Sequence, residues 1–124
     1  MNHTALTLLI AALLPIVCAG IAKWGANGYD NRQPRAWLAR QEGFRARADA
    51  AQHNSLEAFA PFAAALILAR VQGLTDDFLA PWAWGFIACR LAYVALYVLD
   101  LATLRSLVWL LGLAVVIRLF AFSL

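Results

Sequence analysis

Residues 47–61, RADAAQHNSLEAFAP, begin as a charged helix suited to water and end inside an apolar run. Asn54 and Glu57 sit at the crossover, three residues apart and so on one helical face. An amide and a carboxylate at that depth are costly unless they are paired or used. Ala58 to Ala69 is apolar apart from a break at Pro61, and these twelve residues are too few to cross a bilayer. A span of about 50–72 must therefore include Asn54 and Glu57, which then face protein or a water-filled cleft rather than lipid. The remaining helices read as walls around this polar edge.

Composition agrees. Of 124 residues, 64% are hydrophobic and 14% charged, with a mean hydropathy of +0.70. Soluble domains carry about 25% charged residues, so this is a membrane composition. At this length, one domain over 1–124 holding four spans uses nearly every residue. The net charge is +3, but six of the ten basic residues lie between Lys23 and Arg47. That clustering marks a cytoplasmic membrane loop rather than a nucleic-acid surface. Cys18 and Cys89 each lie in apolar runs and read as small core residues. No CxxC pair, His/Cys cluster or glycine-rich phosphate loop is present, so neither a metal nor a nucleotide is implied.

The first span, 4–22, is uncharged. It lacks the basic start and the small-x-small cleavage site of a signal peptide, and reads as a transmembrane helix with a candidate kink at Pro15. Residues 23–42 are the main connection, rich in turn formers. Within it, Asn31 to Arg35 starts a short helix with Pro34 in its first turn, and Trp37 and Leu38 rest at headgroup level. Residues 70–81 form a turn. The third span, about 78–99, opens on Trp82 and Trp84 as interface anchors and carries Arg90, Tyr93 and Tyr97 on one face. The fourth, about 104–122, starts beside Arg105 and ends near Arg118, which snorkels. His3 reads as solvated, as do Arg45, Arg47 and Asp49. Loop charge places the first connection in the cytoplasm and both termini outside.

The polar residues at membrane depth allow two accounts. One is a buried Glu57–Arg90 pair that holds the bundle together. The other is a cleft, open toward the cytoplasm, for a small zwitterionic or anionic ligand. Arginines would take its carboxylates, and Asn54 and Glu57 an ammonium and an amide.

Three blocks then carry a resemblance: the NxxPR element at Asn31 to Arg35, the RAxAAQxNxxE stretch at Arg47 to Glu57, and the RLxYxxxY run at Arg90 to Tyr97. Together, in this order and on four spans, they resemble the MAPEG family, the membrane-associated proteins of eicosanoid and glutathione metabolism, and its bacterial members most closely. The resemblance implies an all-α, four-transmembrane-helix bundle, assembled as a homotrimer in a bacterial inner membrane. It implies glutathione as co-substrate, without a metal, and a small hydrophobic second substrate arriving from membrane lipid. Arg47, Gln52, Asn54, Glu57, Arg90, Tyr93 and Tyr97 would bind the thiol tripeptide, and Arg105 would stabilise its thiolate. The activity implied is that of a transferase or peroxidase acting on lipophilic electrophiles or hydroperoxides. One departure stands out: conjugating eukaryotic members have an arginine four residues before the motif Asn, where this chain has Ala50, and Arg47 is the candidate replacement. A non-catalytic lipid- or thiol-binding protein of the same family is the alternative. A small multidrug exporter is a weaker rival, because such exporters depend on a carboxylate in the first span and residues 4–22 have none.

Overall fold

A computed structural model of the chain describes residues 1–124. Four helices are long and apolar enough to cross a membrane: α1 (His3–Lys23), α3 (Gly43–Val71), α4 (Asp76–Val98) and α5 (Ala102–Ala121). A short α2 (Pro34–Leu38), with Pro34 in its first turn, lies in the long connection. The chain is an all-α integral membrane protein with four membrane-spanning helices. α1 and α5 each lie against both α3 and α4, which also meet each other.

The face of α3 that meets its neighbours is built from small residues. Ala48, Ala51, Ser55, Ala65 and Ala69 are all buried. Lipid tails are as apolar as leucine, so close backbone approach and tight packing hold such helices together. Phe62 and Leu66 are the large exceptions: both are fully buried, and Phe62 stacks on Phe86 with ring centres 3.9 Å apart. These two rings anchor the larger core, which runs to Leu79 and Leu119 at the end with the short connection. Leu14, Cys18, Ala51, Tyr93 and Val94 form a second cluster, and Ala22, Trp37, Leu38 and Ala48 a third at the end with the long connection.

Several expectations are corrected here. Pro61 does not break α3, which runs 29 residues without interruption. Pro15, by contrast, lies inside an unbroken α1 as expected. The turn expected over 70–81 is shorter, because Thr75 caps α4 through its hydroxyl and the helix starts at Asp76. Likewise α5 starts at Ala102, after a tight turn in which Asp100 takes a left-handed φ of 63°, a conformation aspartate tolerates better than most residues. Trp37 and Leu38 are buried against Ala22 and Ala48, and Tyr29 meets the Trp37 ring edge-on at 5.1 Å. They therefore fasten the long connection to the bundle.

Arg45 and Arg47 are not merely solvated. Arg45 Nη1 donates to the carbonyls of Ala22 (3.0 Å) and Trp24 (2.8 Å), at the C-terminal end of α1. Arg47 Nε donates to the Val98 carbonyl (3.1 Å), at the C-terminal end of α4. Helix C-termini leave carbonyls without partners and carry partial negative charge, so two cations on the first turns of α3 close two other helices.

The opposite end is tied by an anion. Asp76, on α4, accepts from the backbone N–H of His3 (2.7 Å) and Thr4 (2.8 Å) and from the Thr4 hydroxyl (2.6 Å). With Asn2 accepting from the Ala5 N–H, the first turn of α1 is capped from two sides. His3 is corrected with it: its Nδ1 accepts from the Trp84 indole at 3.1 Å. Asp76→Ala is expected to fray this turn, so the His3 and Thr4 amides should lose hydrogen-exchange protection while Leu66 and Phe86 keep theirs. Unchanged exchange at both amides would show that the Asp76 contacts hold nothing.

Candidate functional site

The polar end of α3 opens on a groove walled by α3, α4 and α5. Asn54 Nδ2 lies 3.4 Å from Glu57 Oε2, as their shared helical face requires. Asn54 Oδ1 is buried and has no hydrogen-bond partner. Pro61, one turn beyond Glu57 on the same wall, has no N–H, so the Glu57 carbonyl also loses its helical donor. This wall therefore offers acceptors without donors.

The floor comes from α4. Arg90 is 4% exposed, and its Nη2 donates to the hydroxyl of Ser55, itself buried, at 3.2 Å. Its guanidinium carbon lies 4.2 Å from the Tyr93 ring centre. The expected Glu57–Arg90 pair does not form. Glu57 is exposed, and a short hydroxyl and an aromatic face take the guanidinium instead. Arg90 Nε is buried without a partner. A buried N–H of a cation is among the costlier groups to leave unsatisfied, and Arg90 has one donor free at the floor of the groove.

A second cation stands higher in the same groove. Arg105, on the first turn of α5, lies 4.1 Å over the Tyr97 ring. Tyr97 in turn meets Tyr93 edge-on at 5.6 Å. The order Arg90, Tyr93, Tyr97, Arg105 is thus a ladder in which two aromatic rings keep two positive charges apart.

The groove has two compartments. The outer one, about 460 Å³ and widely open, is lined by Asn54, Tyr93, Arg105, Ser106, Trp109 and Leu110. The inner one, about 150 Å³, is lined by Asn54, Glu57 and Arg90 on its polar side and by Phe86, Trp109 and Val116 among its apolar walls. Of the residues singled out from the sequence, Asn54, Glu57, Arg90, Tyr93 and Arg105 line the compartments, and Tyr97 joins through Arg105 and Tyr93. Arg47 and Gln52 do not line this groove: Arg47 is bound to Val98, and Gln52 projects from another side of α3. Ser55 and Trp109 belong to the site and were not singled out for it. A serine in an alanine-rich face gives no signal of its own, and a membrane tryptophan reads equally as an interface anchor.

One further cluster brings possible metal ligands together, although the sequence offered no metal site. His3, Asp76 and Asp77 present ligand-capable atoms within 4.8 Å of one another. Asp76 already accepts three hydrogen bonds and His3 Nδ1 one. Its donor set is committed to capping α1, so we assign it a structural role.

The family model described as the MAPEG family matches residues 4–124. No curated protein and no solved structure matches the chain.

Proposed function

The chain belongs to the MAPEG family, and from that premise we propose a membrane-bound glutathione-dependent transferase or peroxidase that stabilises the thiolate for attack on a lipophilic electrophile or hydroperoxide. The observation that carries this reading is the buried Arg90 Nε without a partner, in the same groove as the unsatisfied Asn54 Oδ1. The chemistry of the tripeptide fits both: a carboxylate satisfies the guanidinium, and an ammonium or amide N–H satisfies the Asn54 oxygen, with Glu57 beside it.

In this reading Arg90 and Asn54 hold the backbone, Glu57 takes the ammonium, and Arg105 lies nearest the sulfur. A thiol is mostly protonated at neutral pH, and the thiolate is the nucleophile. With an electrophilic carbon, the sulfur–carbon bond forms as the leaving group departs with its electron pair. With a hydroperoxide, sulfur attacks the terminal oxygen, the O–O bond breaks and the alkoxide takes a proton. The sulfenic acid then condenses with a second thiol to give a disulfide and water. The polar edge of α3, where His53 and Glu57 are exposed, supports a homotrimer in which a neighbouring subunit covers it. Gln52, on another side of α3, would act toward a neighbouring subunit, and Arg47 would contribute only by leaving the Val98 carbonyl. The basic long connection supports a cytoplasmic placement, as in a bacterial inner membrane.

One observation favours the non-catalytic alternative. Ala50 carries no charge, and its candidate replacement, Arg47, is bound to the Val98 carbonyl. Glutathione titration of the detergent-purified protein, followed by calorimetry and by thiolate absorbance at pH 7, separates the two. Catalysis requires saturable heat together with a thiolate signal. Heat without thiolate marks a binding protein, and neither signal at millimolar glutathione removes glutathione as the ligand. Glu57→Ala is expected to weaken binding by about tenfold, the equivalent of one charge-assisted hydrogen bond of roughly 1.4 kcal/mol. The thiolate signal per bound ligand should stay unchanged; its loss would move Glu57 from binding to activation.

A further inference from the structure

The first span serves as a ruler for the long connection. Its uncharged run, residues 4–22, is about as long as the hydrocarbon is thick, so Ala22 marks the hydrocarbon's edge. Trp37 and Leu38 pack on Ala22 and hold α2 at that level. Around them the connection turns a basic face outward, with Arg32, Arg35 and Arg40 all exposed. Trp24, two residues past Ala22 and 79% exposed, lies at the same depth, where an indole favours the headgroup layer.

Between residues 23 and 47, six cations face two carboxylates. Three of the cations are engaged: Lys23 lies 5.0 Å from the Tyr29 ring centre, and Arg45 and Arg47 donate to helix-end carbonyls. Asp30 is engaged too, accepting from the Arg32 backbone N–H at 2.9 Å. The chain's only side chains at ion-pair distance are His53 and Asp49, so neither Asp30 nor Glu42 neutralises Arg32, Arg35 or Arg40. The opposite end of the bundle differs. There Arg70 donates to the Leu74 carbonyl, Arg118 lies 4.6 Å over the Phe122 ring, and Asp76 and Asp77 offset both charges.

We infer that the basic face of the long connection docks anionic phospholipids, with Arg32, Arg35 and Arg40 taking their phosphates and Trp24 resting among the headgroups. A guanidinium forks onto two phosphate oxygens. A zwitterionic headgroup offers those oxygens but brings its own cation, so only a net-negative lipid leaves charge for the arginines to neutralise. Each cation near such a surface strengthens attraction by about fivefold, less in high salt. Because α2 is pinned to Ala22 and Ala48, lipid held there also fixes the depth of α1 and of the first turns of α3. Neither the groove nor any thiol takes part.

Native mass spectrometry of the detergent-purified full chain tests this, with dioleoylphosphatidylglycerol and dioleoylphosphatidylcholine supplied in equal amounts. The parent protein is expected to retain the anionic lipid by about tenfold or more over the zwitterionic one, and the preference should shrink as ammonium acetate is raised. Combining Arg32→Gln, Arg35→Gln and Arg40→Gln should abolish the preference. Each substitution alone should lower it by up to about fivefold, which carries the test if circular dichroism shows the triple variant unfolded. Arg70→Gln with Arg118→Gln removes charge from the other end and should leave the preference in place. A preference that survives the three connection substitutions, or is lost equally in the opposite-end variant, would overturn the inference. So would displacement of the lipid by millimolar inorganic phosphate at fixed ionic strength, which would make this a site for soluble anions.

Discussion

Arg105→Ala is expected to remove about 99% of the thiolate signal at pH 7 yet to slow turnover only about tenfold. The two figures differ for a physical reason. A cation within about 4–6 Å lowers the pKa of an acid by about 1–3 units, and two units correspond to roughly a hundredfold in thiolate fraction. The more basic thiolate that remains is also the better nucleophile, and a Brønsted coefficient of about 0.4–0.5 returns close to tenfold of that loss. Raising the pH should therefore rescue the variant: its rate climbs with pH toward about 9, where the free thiol ionises, while the parent protein, its thiol about half-ionised at pH 7, gains only about twofold. Glutathione affinity should change little, because Arg105 lies over Tyr97 in the open outer compartment, whereas the buried guanidinium with a free Nε is that of Arg90. A parallel loss of binding, or a variant whose pH profile matches the parent's, would take the activating role away from Arg105.

Phe62→Ala is expected to be the most destabilising single truncation in the chain, at about 3–5 kcal/mol. Phe62 has no exposed surface and lies flat on Phe86, with 9° between the ring planes. Little of that cost is hydrophobic in a bilayer, where the unfolded reference is also in lipid; it comes from lost dispersion contacts and the void left behind. Since Phe86 also walls the inner compartment, the void should open into the groove and loosen its floor. Phe62→Leu keeps most of the volume and should cost less than about 1.5 kcal/mol. Unfolding by a titrated denaturing detergent measures both. An alanine variant within about 0.5 kcal/mol of the parent would mean that the stack contributes nothing beyond filling space a lipid tail fills equally well.

The four spans were legible because hydropathy over some twenty residues is a strong signal, and because Asn54, Glu57, Arg90 and Arg105 are conspicuous at membrane depth. Their exact partners were not. Opposite charge suggested Glu57–Arg90, but a contact depends on rotation about the helix axis, and the guanidinium lies closer to Ser55 and Tyr93. Helix continuity through Pro61 was equally hidden, since whether proline ends a helix depends on what its neighbours supply. Arg45 and Arg47 were counted as solvated charge because nothing local distinguishes an arginine in water from one reaching the end of another helix. His3 and Asp76 are 73 residues apart, and only the antiparallel return of α3 brings the start of α4 beside the start of α1.

Those two arginines on α3 also bear on how the helices stay level with one another. Smooth apolar rods in a fluid of similar polarity have little to stop them from sliding along their long axes, since sliding exchanges one greasy contact for another. Arg45 fixes the height of α3 against the foot of α1, and Arg47 fixes it against the foot of α4. Shifting either helix by a single residue's rise, about 1.5 Å, stretches a directional bond past its working range. The two rungs thus act as depth stops, and they keep Asn54 on one rod opposite Arg90 on another.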